Sequence, residues 1–364
     1  KWSRAKMAVM NGADLVLELP VVYSCQPAEI FALGGIKLLN GLGIVDYLCF
    51  GSELGHTDTL CRLSELLSTE PDDFKLHLKK HLERGVSYPK AISSALSSFL
   101  GDSESNYIDD ILKSPNNILG IEYIKSLMLY KSNIKPVAVK RIVSEYNDMH
   151  IKTDIASATA IRNEIRREGL NENVRMALPQ STIDIIEEGK ASEKNPVVLE
   201  DFSDILLYKL RTMEISEFRK YLNVREGIEY RLKKYASCCT SCEELIEAVK
   251  TKRYTRTYIQ RLLCHIMLGI NRNDVVTAKN IHCPAYIRIL AFNDKGKLLL
   301  KSIKEKTSYP IITKAADFHS SNPAVKRMFE LDILSTDIYS LGFKSGTFRK
   351  AGSDFMTSPY YYRT

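Results

Sequence analysis

The amino-acid sequence predicts an α/β fold, with a parallel sheet in the first half of the chain and a mostly helical second half. A helical pattern is followed by the apolar run 13–20, and a second helical pattern at 27–42 is followed by the apolar run 45–50. Strands that alternate with helices in this way form parallel sheets with helical crossovers. The length of 364 residues suits two domains, which we expect at 1–175 and 176–364.

Each predicted element of the first half has a recognisable boundary. The first helix, 1–12, stops at an Asn-Gly pair, and Pro20 ends the first strand because proline lacks the N–H that a sheet ladder needs. The second helix has apolar residues on one side at helical spacing: Ile30, Leu33, Ile36 and Leu39. Charged helices are predicted over 56–100, a further helix over 121–130, and a third strand over 135–142.

Residues that follow the predicted strands are candidate ligand contacts, because ligands bind beyond the carboxyl ends of strands in open parallel sheets. Gly51 follows the second strand and lacks a Cβ, so its backbone can come close to a ligand. Asn116 precedes a helical pattern and can either cap that helix or place its amide against a ligand. Arg141 lies near the end of the third strand, and Ile142 beside it can pack on a flat ring. We expect these four residues, together with a helix start at Ser157, at one rim.

A helix start at Ser157 has the features of a phosphate site. Ser157 can cap the helix, Thr159 offers a hydroxyl in its first turn, and Arg162 returns to a position close to the free N–H groups. Gly169 is the expected end of this helix. On spacing alone, an ordinary capped surface helix that carries an arginine is an open alternative.

A cluster of cations and aromatic residues in the second half suits an anionic partner, as does the formal net charge of +7. The cluster consists of Lys250, Lys252, Arg253, Arg256 and Arg261, interleaved with Tyr254 and Tyr258. Phosphate contacts from cations together with bases stacked on rings are typical of RNA recognition. A solvated helix whose tyrosines pack against neighbouring helices is the alternative.

Several other classes of protein are disfavoured by the sequence. No apolar run approaches the ~18 residues of a membrane span, so we expect a cytoplasmic protein without a membrane partner. Cys239 and Cys242 have C-x-x-C spacing but lack the second pair of a zinc site, and we interpret them as thiols at a helix start. His77 and His81 lack a third ligand and favour a solvated helix face.

Seven motifs occur in an order that resembles the bacterial tRNA(Met) cytidine acetate ligases, over essentially the whole chain. They are Lys-Trp-x-Arg at 1–4, Asp-Leu-Val-Leu-Glu-Leu-Pro at 14–20, Phe-Gly-Ser-Glu at 50–53, Pro-Asn-Asn-Ile-Leu-Gly at 115–120, Ile-Ala-Ser-Ala-Thr-Ala-Ile-Arg at 155–162, Lys-Thr-Lys-Arg-Tyr-Thr at 250–255 and Pro-Ala-Tyr-Ile-Arg-Ile-Leu at 284–290.

The resemblance implies a Rossmann-like nucleotidyltransferase domain followed by a mostly helical tRNA-binding domain. It implies that ATP activates acetate as acetyl-adenylate, and that the acetyl group passes to the wobble cytidine of elongator tRNA(Met) to give N4-acetylcytidine. It also implies ATP contacts at Gly51, Asn116, Arg141 and Ile142, and phosphate contacts along 157–162. Magnesium is expected from the nucleotide chemistry. The resemblance favours tRNA as the partner of the basic cluster.

Two departures from the family pattern affect these expectations. The wider superfamily commonly has Ser-Ser-Thr where this chain has Ser157, Ala158 and Thr159, which removes one hydroxyl. The family's His-x-Gly-His signature is absent from the sequence given, so we expect it upstream of Lys1, expect the given chain to be catalytically incomplete, and assign no catalytic residue. Alternatives are a nucleotidyltransferase that adenylates a small molecule and a non-catalytic RNA-binding protein.

Overall fold

A computed structural model of the chain describes residues 1–84, 88–100, 105–141, 156–194, 196–225, 227–281 and 284–363. The α-helices in chain order are α1 Trp2–Met10, α2 Val21–Ser24, α3 Ala28–Leu42, α4 Asp58–Thr69, α5 Asp72–Glu83, α6 Tyr88–Leu100, α7 Ser105–Lys113, α8 Pro115–Leu129, α9 Ala158–Glu168, α10 Glu172–Met176, α11 Gln180–Ala191, α12 Ser203–Thr212, α13 Ile215–Phe218, α14 Ile228–Ala236, α15 Cys242–Val249, α16 Arg256–Leu268, α17 Arg272–Asn280, α18 Asp294–Lys306, α19 Pro323–Ser340 and α20 Ser353–Met356. The strands are β1 Leu15–Leu17, β2 Tyr47–Ser52, β3 Lys135–Lys140, β4 Ile287–Asn293, β5 Ile311–Ile312 and β6 Tyr360–Tyr362.

The chain divides into two compact units. One is the continuous segment Gln26–Arg141, called here the 26–141 unit. The other combines Lys1–Cys25 with Ile142–Thr364 and is called the discontinuous unit. The sequence predicts a different boundary, at residue 175, between an ATP-binding part and a tRNA-binding part. That functional boundary stays a prediction.

The 26–141 unit contains the predicted parallel pairing. β2 and β3 run parallel, which confirms an α/β fold with parallel strands. The unit's core includes the buried side chains of Phe50, Leu60, Phe74 and Ile121. Gly120 of α8 lies so close to Phe50 that an added Cβ would come within 2.5 Å of a ring carbon, so only glycine fits there without a shift.

The sheet of the discontinuous unit is built around the buried strand β4. β5 and β6 pair parallel to β4, and β1 pairs antiparallel to it, with Leu15 opposite Phe292. This corrects the expectation that the apolar run 13–20 joins a parallel pairing by a crossover. An Asp-Lys-Gly sequence at 294–296 is typical of a turn, but the chain forms the helix α18 there. The pairing of β6 attaches the C-terminal segment to this sheet.

Helices α12 to α16 enclose the largest buried cluster of the discontinuous unit, which includes Leu206, Phe218, Leu232 and Leu262. The mostly helical character predicted for the second half is therefore confirmed. Cys239 and Cys242 are buried in this cluster as free thiols, at the start of α15. Within the described ranges, the length and apolar content that a membrane crossing requires are not combined in any helix.

Candidate functional site

Two parallel strands of the 26–141 unit end side by side. At their carboxyl ends, Ser52 of β2 lies opposite Lys140 of β3. The pairing extends one residue further, because the backbone N–H of Arg141 donates to the carbonyl oxygen of Ser52 at 3.0 Å. The residues that follow both strands therefore lie at one edge, which is where parallel sheets hold ligands. We call this the strand edge.

Gly51 lies against the side chain of Arg141 at the strand edge, and both residues are exposed. A Cβ added to Gly51 would lie 3.4 Å from Cγ, 3.7 Å from Cδ and 3.8 Å from Nη1 of Arg141. The backbone of Gly51 and the methylene groups of Arg141 thus form an exposed surface, with the Arg141 guanidinium at one end of it. Such a surface can accept a planar ring by stacking and an anion by charge. Ile142, predicted to take part in the same contact, lies outside the described residues.

The carboxylate of Glu53 caps the helix α8. Its Oε2 accepts a hydrogen bond from the backbone N–H of Asn117 at 2.9 Å, and its Oε1 accepts one from Nδ2 of Asn116 at 2.7 Å. The side chain of Ser114, at the N-cap position, makes no capping bond. A carboxylate is stabilised here because the first N–H groups of a helix lack helical partners and the helix dipole is positive at this end.

A buried hydrogen-bonded pair, Ser52 and Asn117, fixes the turn beside this cap. The Ser52 hydroxyl donates to Oδ1 of Asn117 at 2.7 Å and accepts from the backbone N–H groups of Leu54 and Gly55, each at 3.1 Å. Ser52 is 0% exposed and Asn117 is 2% exposed. The sequence analysis singled out Asn116 and missed its neighbour. The available signal was the Pro-Asn-Asn order, which places the second asparagine inside the first helical turn.

Three residues predicted for ATP contact are therefore found at the strand edge. Gly51 touches Arg141 directly, and Asn116 is tied to the turn after β2 through Glu53. Their contact with a nucleotide stays a prediction.

The helix α9 of the discontinuous unit begins and ends as predicted. Ser157 is its N-cap residue, and its Oγ accepts a hydrogen bond from the backbone N–H of Ala160 at 3.0 Å. Ser157 is buried, whereas the side chains of Thr159 and Arg162 are exposed. Gly169 ends the helix with φ +77°. The first two turns therefore offer an exposed hydroxyl and an exposed guanidinium close to the helix N-terminus, where anions are stabilised.

Some of the predicted RNA-contacting cations are ion-paired with glutamates. Nη1 of Arg256 donates to Oε1 of Glu243 at 2.7 Å and to Oε1 of Glu247 at 2.9 Å. Nζ of Lys250 lies 3.1 Å from Oε2 of Glu247. These glutamates neutralise much of the positive charge at the start of α16. Two of the predicted cations lie exposed in the loop that precedes α16: Lys252 and Arg253.

The aromatic residues of this segment are packed into the protein. Tyr254 is 6% exposed and stacks on Tyr258, with ring centroids 5.8 Å apart. Their hydroxyls donate to the backbone carbonyl groups of Arg225 and Asn223, respectively. Arg261 is also half-buried, and burial lowers its pKa. The packing alternative is therefore correct for Tyr254, because its ring is not accessible for base stacking.

Four charged side chains, three from distant motifs and the fourth from Asp354, form a largely buried ion cluster in the discontinuous unit. Nζ of Lys1 lies 2.7 Å from Oε1 of Glu18 and 2.5 Å from Oδ2 of Asp354. Nη1 of Arg288 lies 3.1 Å from Oε2 of Glu18, and its Nη2 lies 3.1 Å from Oδ2 of Asp354. Nε1 of Trp2 donates to Oδ1 of Asp354 at 2.9 Å. Since buried charges require partners, these motif residues act to hold the unit together, a role that the sequence analysis did not assign.

A further buried carboxylate, Asp332, links α19 to the start of α2. It accepts hydrogen bonds from the backbone N–H of Val21 at 2.6 Å and from the hydroxyl of Tyr286 at 2.5 Å. Burial, followed by the nearby charge of Glu18, raises the pKa of Asp332 to about 7. This carboxyl group therefore titrates near neutrality.

The chain is similar to proteins of one family over nearly its whole length. Residues 1–354 match the family model described as HIGH Nucleotidyl Transferase. The tRNA(Met) cytidine acetate ligase of Acetivibrio thermocellus is 42% identical over 359 residues, covering 98% of this chain and 86% of that protein. The protein of the same name from Alkaliphilus metalliredigens is 41% identical over 369 residues, covering 99% and 87%.

Solved structures agree with the sequence relatives. The crystal structure of Thermotoga maritima TmcAL in its apo form I matches with a TM-score of 0.94 and 33% identity, covering 100% of this chain and 88% of that one. The structure of the same protein bound with alpha-thio ATP matches with a TM-score of 0.93 and 32% identity, again covering 100% and 88%. The chain therefore belongs to the HIGH nucleotidyl transferase family and, within it, to the tRNA(Met) cytidine acetate ligases.

Proposed function

We propose that this chain activates acetate with ATP and acetylates the wobble cytidine of elongator tRNA(Met). In the first step an acetate oxygen attacks the α-phosphorus of ATP, the bond to the β-phosphate oxygen breaks, and pyrophosphate leaves. In the second step the exocyclic amine of the cytidine attacks the acetyl carbon and loses a proton, and AMP leaves. Family membership and the geometry of the strand edge both support this proposal.

The observation that carries the nucleotide-binding part is the exposed contact between Gly51 and Arg141. The absence of a Cβ leaves room for a ring beside the guanidinium. Asn116 is held in place by Glu53, so its amide group is oriented before any ligand arrives. Preorganised groups lose less conformational entropy on binding, which favours affinity. We assign the nucleoside of ATP to these residues.

The start of α9 is proposed to hold ATP phosphates. Adenylyl transfer builds negative charge on the leaving pyrophosphate, and cations and helix N-terminal N–H groups stabilise such charge. Thr159 and Arg162 supply a hydroxyl and a guanidinium at an exposed helix start that Ser157 has already capped. Since Thr159 and Arg162 make the proposed phosphate contacts, the role of Ser157 is mainly to cap the helix.

Magnesium is expected to accompany the nucleotide phosphates. Within the described ranges, no group of three or more His, Cys, Asp or Glu side chains is placed to hold a metal ion. We therefore assign magnesium no protein ligand, and the roles above use the chain's own groups.

A single assay separates the proposed function from its alternatives. The protein is incubated with ATP, labelled acetate and tRNA(Met), and pyrophosphate release and acetylated nucleoside are both measured. We expect pyrophosphate release that depends on acetate, and N4-acetylcytidine in the digested tRNA. Pyrophosphate without modified nucleoside would instead support a small-molecule nucleotidyltransferase. Binding of tRNA without pyrophosphate release or ATP binding would support a non-catalytic RNA-binding protein.

The tRNA contact within this proposal includes the exposed cations Lys252 and Arg253. Lys250 and Arg256 are ion-paired with glutamates, so RNA phosphates would have to compete with those carboxylates. We therefore expect Lys252 to contribute more to affinity than the two paired residues.

A further inference from the structure

The helix α18 carries a large positive charge on its surface. Its five exposed lysines are Lys295, Lys297, Lys301, Lys304 and Lys306. The acidic residues of the same helix are Asp294, which accepts a hydrogen bond from the hydroxyl of Tyr361, and Glu305. Among the described residues, none of the five lysines forms an ion pair with a carboxylate.

Three of these lysines form a continuous stripe. Lys297, Lys301 and Lys304 follow the spacing i, i+4, i+7, which places them on one helix face. At 1.5 Å per residue the stripe extends along roughly 10 Å of the helix. Gly296 and Ile303, both buried, lie about a third of a turn around the helix from this stripe, and all three lysines are exposed. The stripe therefore faces solvent along its whole length.

The helix is a rigid support for this stripe. Asn293 caps its first turn, with Oδ1 accepting the backbone N–H of Gly296 at 2.8 Å and Nδ2 donating to Oδ1 of Asp14 at 2.8 Å. A Cβ on Gly296 would lie 1.9 Å from the carbonyl oxygen of Asp14, so only glycine allows this close packing against the chain at β1. The lysines thus project from a fixed backbone.

The segment 250–261 contrasts with this helix. There, Arg256 is bound by Glu243 and Glu247, and Lys250 also pairs with Glu247. A phosphate that approaches α18 displaces no such carboxylate. The net positive charge available to an anionic polymer is therefore greater on α18 than at the start of α16.

We infer that the stripe Lys297, Lys301 and Lys304 binds the sugar-phosphate backbone of the substrate tRNA. The inference rests on the proposed function, which supplies tRNA as the partner. Flexible lysines on a regular helix suit backbone phosphates, which recur along an RNA strand regardless of sequence. The stripe accordingly supplies affinity, and the choice of base lies elsewhere.

The test compares two triple variants. One carries Lys297→Gln, Lys301→Gln and Lys304→Gln, and the matched control carries Lys75→Gln, Lys79→Gln and Lys80→Gln on the exposed face of α5. Glutamine and lysine have similar helix propensities, so both helices should stay folded. The dissociation constant for tRNA(Met) is measured across a salt series, and acetate-dependent pyrophosphate release is measured without tRNA.

We expect the α18 variant to bind tRNA at least tenfold more weakly. The slope of its log affinity against log salt should be smaller in magnitude by about 2 to 3, since each lost phosphate contact removes roughly 0.7 to 0.9. The α5 variant should match the wild type. Equal tRNA affinity and slope in wild type and α18 variant would overturn the inference while leaving the proposed function standing. Failure of the wild type itself to bind tRNA would instead defeat the proposed function.

A membrane surface is the competing occupant, because Leu298 is 68% exposed beside the stripe and interfacial helices combine lysines with exposed apolar residues. Binding is therefore also measured to phosphatidylserine vesicles. Vesicle binding that the α18 variant loses, together with unchanged tRNA binding, would contradict the inference.

Discussion

Oε2 of Glu53 lies 2.9 Å from the backbone nitrogen of Asn117, so a carboxylate from the turn after β2 caps the helix α8. This bond joins two motifs of the family, Phe-Gly-Ser-Glu and Pro-Asn-Asn-Ile-Leu-Gly, at the strand edge. The edge is thus fixed by the protein's own anion at a helix N-terminus. Because that position is occupied by Glu53, the N-terminus of α8 is not open to a nucleotide phosphate.

Replacement of this cap should destabilise the protein. Glu53→Gln removes the negative charge from the first turn of α8, and we expect the free energy of unfolding to fall by about 1 kcal/mol, as for the loss of a helix cap. Urea denaturation measures it. Glu65→Gln, an exposed change on α4, is the control and should leave stability unchanged. A fully stable Glu53→Gln protein would show that the cap contributes nothing.

Two glycine substitutions distinguish a glycine that leaves room for a ligand from a glycine that leaves room for a neighbouring side chain. In Gly51→Ala the new Cβ makes ordinary contact with Arg141, so stability should stay within about 0.5 kcal/mol. It occupies the proposed ring space, however, so the dissociation constant for ATP should rise. In Gly120→Ala the Cβ meets the ring of Phe50 at 2.5 Å, and unfolding should become easier by about 1 to 3 kcal/mol. Unchanged ATP affinity in Gly51→Ala would remove this residue from the site.

Arg162→Ala should weaken nucleotide binding selectively. Loss of a charge-assisted contact to phosphate costs about 1.5 to 3 kcal/mol, or roughly 10- to 100-fold in affinity. Calorimetric titration with ATP measures this, and a parallel titration with tRNA(Met) should show little change. Arg166→Ala, an exposed change one turn further along α9, is the control. Equal losses of ATP and tRNA affinity would contradict the phosphate role.

Tyr254 and Lys252 should have separable effects. Tyr254→Ala empties part of the core and should lower the free energy of unfolding by about 3 kcal/mol or more. The folded protein should still bind tRNA, because the ring is not on the surface. Lys252→Ala should leave stability unchanged, weaken tRNA binding and reduce its salt dependence. Should tRNA affinity follow Tyr254 rather than Lys252, the burial argument would be wrong.

Asp332 should make stability fall as the pH rises. Its pKa of about 7 in the folded protein lies above the ordinary value of 3.8. The folded state therefore holds a proton that the unfolded state releases in this window, and the free energy of unfolding decreases from about pH 4 to pH 7. Asp332→Asn keeps an oxygen for the N–H of Val21 but does not titrate. Urea unfolding at several pH values should show a flatter profile in this variant, and identical profiles would refute the prediction.

Local signals were sufficient where neighbouring residues determine the structure. Ser157 and Gly169 bound the helix α9 because a hydroxyl cap and a left-handed glycine act within one helical turn. The parallel pairing of β2 with β3 likewise follows from alternating strands and helices. Gly51 and Arg141 were predicted at one rim, and they touch.

Contacts between residues that are far apart in the sequence could not be predicted from such local patterns. Nothing near β1 in the sequence indicates that it pairs antiparallel with β4, because both runs are simply apolar. Burial of Tyr254 depends on which face of the loop meets the helical core. The lysines of α18 were overlooked because an Asp-Lys-Gly sequence favours a turn, whereas here Asn293 caps a helix and the glycine fits against Asp14.

The pairing of β1 with β4 has a consequence for synthesis on the ribosome. The strand β1 leaves the ribosome about 270 residues before its hydrogen-bonding partner β4, which is the spacing of the two strands along the chain. The 26–141 unit draws its core from its own residues and can fold during translation. Residues 1–25 must instead wait for the arrival of Arg288 and then Asp354. Termination after residue 141 but before β4 would leave a folded 26–141 unit next to a strand β1 without its partner.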